Sequence, residues 1–202
     1  MDLTGKIAVI TGASSGIGAA TARLLAAKGA RIVVGYHRGL ERANDVLSTL
    51  PGEGHFAAQL TLEDGESVRS FAAAVAKEVE RVDILVNSAG FTVPIAHSDL
   101  DALSDELFDR MLRANVRGPF SVIRAFAPLL RAAAPSVVVN VSSVSGLTAS
   151  GSSVAYCASK AGLDSITMSL ARALGPQIRF ISISPGAVAT DFVAGRDRAA
   201  LE

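Results

Sequence analysis

Residues 6–30 place the tightest constraint on the fold. Lys6 to Thr11 (KIAVIT) is a short β-branched run, Gly12, Gly16 and Gly18 punctuate the next seven residues, and AATARLLAAKGA then repeats apolar residues at helical spacing. The reading is strand, glycine turn, helix, with Gly29 as the carboxyl cap. A helix that begins at a strand's end presents its unpaired N–H groups there. Glycines let an anion approach the backbone, so the turn suits a diphosphate. The spacing is Gly-x-x-x-Gly-x-Gly rather than the commoner Gly-x-Gly-x-x-Gly. Such glycines also serve a tight turn with no ligand. The strand before and the helix after favour a nucleotide, bound by Gly12, Ser14, Ser15, Gly16, Ile17 and Gly18.

The pattern repeats along the chain. Strands are read at Ile32 to Gly35, His55 to Leu60, Asp83 to Asn87, Val137 to Val141 and Ile178 to Ser184. Helices are read at Glu41 to Leu50, at Asp64 to Val79 with Val68, Phe71, Ala72, Val75 and Val79 on one face, at Ser104 to Arg131, and from Tyr156 to Gly175-Pro176. Pro119 and Pro128 should kink or break the third of these. Asn115 within it is disfavoured by propensity and is expected at a surface or in a network. Strands alternating with helices imply a doubly wound parallel sheet of the Rossmann type. We therefore expect an α/β fold in three layers, one domain over residues 1–202, with ligands at the strands' carboxyl ends. Gly12 to Gly18, Asn87 to Gly90, Ser143 and Pro185 to Thr190 each follow a strand and should meet at one edge of the sheet.

Composition removes other classes. Lys+Arg and Asp+Glu number 19 each, and no basic tract exceeds two residues, which argues against a nucleic-acid partner. The single cysteine, Cys157, excludes an internal disulfide framework, fits a reducing compartment and reads as a small core residue. His37, His55 and His97 are scattered without metal-ligand spacing. No apolar run approaches the ~20 residues of a membrane span. The opening MDLTGKIAVITG enters a strand at once and does not read as a signal peptide, so a cytoplasmic location is expected.

Two features point to chemistry. The second strand ends in Tyr36-His37-Arg38, where a dinucleotide site usually carries an acid for the ribose. A carboxylate would repel a 2′-phosphate, whereas Arg38, with His37 and Ser15, could bind one, which favours NADP(H) over NAD(H). Arg38 could equally begin a solvated loop. Further on, Tyr156 and Lys160 stand four apart and share a helix face. An ammonium beside a phenol, whose free pKa is ~10, favours the phenolate and fits the tyrosine for proton transfer. Ser143, at a strand's end, could hydrogen-bond whatever Tyr156 protonates. A core tyrosine with a surface lysine nearby is the plain alternative.

Together these motifs resemble the short-chain dehydrogenase/reductase family. The turn from Thr11 to Gly18 matches its Thr-Gly-x-x-x-Gly-Ile-Gly, and Asn87 to Gly90 matches a variant of its Asn-Asn-Ala-Gly with Ser88 second. Asn115, Ser143 (13 residues before Tyr156), Tyr156 with Lys160, and Pro185-Gly186 match its remaining motifs in order. The resemblance implies hydride transfer between a nicotinamide and a carbonyl or alcohol carbon. Tyr156 would be the general acid/base, Ser143 would hold the substrate oxygen, and Lys160 would tune Tyr156 and hold the ribose. Asn115 would fix a water in a relay to Lys160. Asn87, Ala89, Gly90, Pro185, Gly186, Val188 and Thr190 would complete the cofactor site with Tyr36, His37 and Arg38. It also implies a ketoreductase-like activity resembling 3-oxoacyl-carrier-protein reductases, and a homodimer or homotetramer through the long helices. The chain departs from the family in carrying Ile181 and Thr61 where many relatives have Asn and an acid. It also ends at Glu202, where relatives continue into a further helix and strand. A non-catalytic nucleotide-binding or scaffolding relative is the alternative reading.

Overall fold

The computed structural model describes residues 2–193. The elements alternate as the pattern requires: β1 (Ile7–Thr11), α1 (Gly16–Ala27), β2 (Arg31–Tyr36), α2 (Leu40–Ser48), β3 (Phe56–Gln59), α3 (Gly65–Glu78) and β4 (Ile84–Asn87). Then come α4 (Asp105–Leu112), a π-helical turn (Arg113–Arg117), α5 (Gly118–Ala132), β5 (Ser136–Val141), the short α6 (Ser145–Thr148), α7 (Val154–Leu174) and β6 (Ile178–Ile183). All strand pairs are parallel, in the order β3-β2-β1-β4-β5-β6. The order reverses between β1 and β4, and the crevice of such a sheet opens there at the carboxyl ends.

Period-two alternation distributes the core. Ala8, Ile10, Ile32, Val34 and Val86 face α1 and α2, where Ala19, Ala22, Ala26, Ala43 and Val46 receive them. Val9, Val33, Leu85 and Val138 face the opposite way, onto Val68, Phe71 and Val75 of α3 and Val122, Phe126 and Leu130 of α5. The expected α3 face is buried throughout. The caps follow from chemistry. The Asp64 carboxylate accepts from the Glu66 N–H at 2.8 Å to start α3. At the end of α1, Gly29 sits at φ +94°, with its N–H on the Ala26 carbonyl at 2.8 Å and the Ala30 N–H on that of Leu25 at 3.1 Å, a Schellman closure.

One expectation needs correction. The helical stretch around Asn115 is not broken at its prolines. It continues from α4 through the π-helical turn into α5, and the irregularity falls on Arg113–Arg117. Pro119 follows directly on the π-helical turn as the second residue of α5, and Pro128 is carried inside the helix four residues before its end. The extra residue in the turn places the buried Asn115 side chain in a network, as one of the two sequence alternatives had it.

A buried acid fastens the start of β4. Asp83, 5% exposed, accepts from Lys6 Nζ at 2.9 Å, the Ile7 N–H at 3.0 Å and Arg81 Nε at 3.3 Å. Burial raises its pKa, but the Lys6 and Ile7 hydrogen bonds and the charges of Lys6 and Arg81 outweigh it, and the carboxyl stays below the ordinary value. Its contribution is therefore present above the unfolded pKa and lost as pH falls through the lower folded one. Asp83→Ala should cost about 1.5–3 kcal/mol at neutral pH, with the deficit shrinking below pH 3.8. Urea unfolding of both proteins across acid pH checks this.

Candidate active site

The two faces of the sheet end differently at its carboxyl edge. Val9, Leu85, Val138 and Phe180 lie side by side across β1, β4, β5 and β6. Two residues on, in the same register and on the same face, stand Thr11, Asn87, Asn140 and Ser182. An apolar row thus gives way to a polar one, and groups buried there must find partners. Thr11 Oγ1 accepts from the Ser88 and Ala89 N–H groups, both at 3.1 Å, and so holds the exit of β4 against β1. Asn87 Nδ2 donates to Asn140 Oδ1 at 2.9 Å, and Asn140 Nδ2 donates to Thr167 Oγ1 of α7 at 2.8 Å. Ser182 Oγ donates to Asp164 Oδ1, also on α7. The row therefore clamps α7 to the sheet.

On that clamped helix stand Tyr156 and Lys160. Ser153 caps it, accepting from the Tyr156 N–H at 3.2 Å. Lys160 is 5% exposed. Its Nζ donates to the Val141 carbonyl at the end of β5 at 2.7 Å and lies 5.7 Å from the centre of the Tyr156 ring. Burial pulls its pKa down to about 8, with the Asp164 carboxylate one turn on acting in the opposite sense. Ser143, two residues past β5, is buried. Its hydroxyl donates to Ser145 Oγ at 3.1 Å and accepts from the Ser145 N–H at 3.2 Å. Cys157 is a buried core thiol whose pKa burial raises.

The other expected residues lie along the same carboxyl edge of the sheet. Gly12, at φ +67°, leaves no room for a side chain: a Cβ would lie 2.8 Å from Ala89 Cα. Ser15, the N-cap of α1, makes no side-chain capping bond, and the first turn of α1 has no acid. The helix's amino-terminal donors are thus open to an anion, and the turn fits a diphosphate. Gly16 lies against Thr190: a Cβ there would be 3.3 Å from the threonine methyl. Pro185 O accepts from the Val144 N–H at 3.1 Å, and the run through Gly186 and Val188 to Thr190 returns over the sheet's edge. At the end of β2, Tyr36 is half-buried, His37 and Arg38 are exposed, and no acid is present. These three stand apart from the Tyr156 group.

Asn115 does something sequence reasoning did not foresee. Its Oδ1 accepts from the Phe91 N–H and its Nδ2 donates to the Phe91 carbonyl, both at 2.8 Å, with a further bond to Ser159 Oγ at 3.1 Å. Its side-chain amide thus pins the segment after Gly90 to α7 and is not bonded to Lys160. The sequence reading also passed over Thr11 as a clamp, Asn140, Asp164 and Phe192, whose ring lies 6.0 Å from that of Tyr156. A polar residue closing each β-branched run was the available signal for the first two. Asp164, four past Lys160, was readable from helical spacing. Phe192 carried no signal. A hollow of about 450 Å³ at the strands' opposite ends, lined by Ile7, Ala30, Arg31, Pro51 and His55, contains none of these residues.

Comparison with known proteins agrees with this geometry. The family model for short chain dehydrogenases matches residues 6–200. The D-threitol dehydrogenase of Mycolicibacterium smegmatis is 38% identical over 192 residues, covering 94% of this chain and 72% of that protein. A 3-oxoacyl-acyl-carrier-protein reductase of Thermotoga maritima is 33% identical over 193 residues, covering 94% and 77%. Among solved structures, the Pseudomonas aeruginosa RhlG/NADP active-site complex superposes with a TM-score of 0.87 at 34% identity, covering 94% of this chain and 75% of that one. The chain belongs to the short-chain dehydrogenase family, oxidoreductases with an NAD(P)-binding Rossmann fold that act on CH–OH and C=O groups. Among the described residues, no helix is long and apolar enough to cross a membrane.

The buried lysine gives a direct test. An unfolded lysine keeps its proton to about pH 10.5, whereas the folded Lys160 releases it near 8. Between those values the unfolded chain binds more protons, so rising pH favours the folded state. The stability of the wild type relative to Lys160→Met should therefore rise from pH 8 to 10.5, by roughly 1.4 kcal/mol for each pH unit crossed. Chemical denaturation of the pair across that range measures it, and a flat difference would show that Lys160 is not held in a depressed state.

Proposed function

We propose that the protein is an NADP(H)-preferring carbonyl reductase or alcohol dehydrogenase in which Tyr156 is the general acid/base. The observation that carries this is the placement of Lys160: a buried ammonium held on the Val141 carbonyl beside the Tyr156 ring, at the same strand end as Ser143. Burying an ammonium is costly, so a fold that retains one has a use for it. A nicotinamide dinucleotide bound along the glycine turn supplies or receives the hydride. In the reductive direction Tyr156 gives its proton to the developing alkoxide, which the Ser143 hydroxyl holds. In the oxidative direction the Tyr156 phenolate takes the hydroxyl proton. Lys160 favours that phenolate by its charge and also holds the ribose hydroxyls. Asn115 is a positioning residue here, fixing Phe91 and the neighbouring Gly90 relative to α7 and leading the water relay toward Lys160. Proton transfer of this kind contributes roughly 10²- to 10⁴-fold, and juxtaposition supplies the remainder.

Arg38 supports the 2′-phosphate reading: it is exposed at the end of β2, with no acid at positions 36–38. The family's assembly supports a homodimer through the long helices. Ala158, Ala161, Ser165, Met168 and Arg172 form an exposed stripe along α7, Met168 being 58% exposed, and Phe120 of α5 is exposed as well. Of these, Ala158, Ala161 and Met168 are apolar, and a helix that exposes apolar side chains beyond its core face has a second surface to bury, which a two-fold contact supplies. A cytoplasmic setting suits such an enzyme.

Three outcomes test the reading. Tyr156→Phe should lower kcat by at least about 10²-fold and leave cofactor affinity unchanged, as read by turnover and by titration of cofactor binding; near-normal kcat rejects the assignment. Arg38→Ala should weaken NADP(H) by roughly tenfold and spare NAD(H). Met168→Glu should convert a dimer to a folded monomer in light scattering across a concentration series, and a wild-type monomer at every concentration rejects the assembly.

A further inference from the structure

The stretches flanking Tyr156 and Ser143 carry no formal charge. Residues 91–96, 143–156 and 185–190 contain no Asp, Glu, Lys or Arg. Their hydroxyls are largely engaged within the protein. Thr92 Oγ1 meets Ser152 Oγ at 2.5 Å, Thr148 Oγ1 donates to the Val144 carbonyl at 3.0 Å, Ser145 Oγ accepts from Ser143, and Ser153 Oγ caps α7. The same contacts join two of the stretches into one rim, since the Ile95 N–H donates to the Ser152 carbonyl at 2.7 Å and His97 Nε2 meets the Gly151 carbonyl at 3.2 Å.

The large side chains exposed in these stretches, and Phe192 just beyond them, are apolar, with Thr148 and Ser150 the exposed hydroxyls. Val144 directly after Ser143, Leu147, Val154 two residues before Tyr156, Val188 and Phe192 are all exposed. Phe192 is the informative one. Its ring is tilted 52° to that of Tyr156, and a Cβ on Gly90 would lie 3.6 Å from it. It therefore bridges the Gly90 turn and the tyrosine. Arg110 stacks over the Phe91 ring at 3.9 Å and is paired with Glu63 at 3.2 Å, so an anionic substrate would have to compete with Glu63 for it. Asp191, the one acid of residues 184–193, has a partner of its own. Beyond the oxygen met by Ser143 and Tyr156, the further polar groups of a polyol or a carboxylate entering here would find few replacements for their hydrogen bonds to water. An apolar ring would gain contact and an aromatic neighbour.

We infer that the carbonyl compound reduced at Tyr156 is uncharged, apolar and ring-bearing, with Phe192 as a wall against its ring; this rests on the oxidoreductase reading above. The experiment uses the full chain loaded with cofactor and three probes: cyclohexanone, dihydroxyacetone and acetoacetate. Turnover is followed as kcat/KM, and binding is followed independently by saturation-transfer NMR. Cyclohexanone should lead both others by roughly 100-fold in kcat/KM. Phe192→Ser should weaken its binding about tenfold, with Phe192→Leu largely restoring it and circular dichroism confirming that both variants fold. Binding of cyclohexanone without reduction would overturn the hydride-transfer reading and leave the apolar site standing. Reduction of dihydroxyacetone or acetoacetate as well as or better than cyclohexanone would overturn the apolar site alone. Absence of cyclohexanone binding, or unchanged binding in Phe192→Ser, would overturn it as well.

Discussion

One level of the sheet governs everything built on its carboxyl edge. Where Thr11, Asn87, Asn140 and Ser182 stand side by side, the backbone register puts four polar side chains on a face that is otherwise core. Polar groups in that position seek partners: Thr11 finds the exit of β4, Asn87 donates to Asn140, and Asn140 and Ser182 reach the helix α7, while Asn87 Oδ1 is buried without a protein partner among the described residues. The position of Tyr156 and Lys160 follows from this pairing. Lys160 then adds its own bond to the Val141 carbonyl, which sets the ammonium beside the phenol. Loosening the row would leave α7 with fewer polar ties to the sheet, those of Lys160 to Val141 and of Ser142 to the Lys160 carbonyl, and positioning errors of a fraction of an ångström are costly to the proposed proton transfer.

Much of this was legible in the residues. Alternation of β-branched runs with helical patterns is a long-range signal that survives errors at any one boundary. The six strands, the buried α3 face and the two-sided core all follow from it. The glycine turn was legible because glycine alone tolerates the Gly12 backbone and the close approach to Ala89. Tyr156 and Lys160 were legible because helical spacing is rigid. What escaped was non-local. The π-helical turn at Asn115 is set by what that side chain reaches across to, the backbone of Phe91, and no propensity near residue 115 encodes this. The prolines do not break the stretch: the irregularity falls on Arg113–Arg117, just upstream of Pro119, and Pro128 sits near the helix end. Asn140 and Asp164 were unremarkable singly and acquire meaning only once β5, β6 and α7 are adjacent.

The buried lysine links stability to chemistry. In a low-dielectric setting the ammonium is disfavoured, and this pulls its pKa down to about 8. A pKa near 8 leaves it mostly charged at neutral pH, the state in which the proposed reaction has Lys160 act on Tyr156. The fold therefore tolerates a cost at the point where the proposed reaction would use the charge. Asp164 moderates that cost, and Ser182 holds Asp164, so the edge strand β6 reaches Lys160 through only two side chains.

The most direct test of the account follows the hydride itself. Reduced cofactor carrying deuterium at its transferable position is mixed with the protein and an apolar ketone, and the alcohol formed is examined by mass spectrometry and NMR. The account predicts one deuterium on the carbinol carbon, on a single face of the product, formed by the wild type and not by Tyr156→Phe. An alcohol free of deuterium, or equal label from the Tyr156→Phe protein, would contradict it.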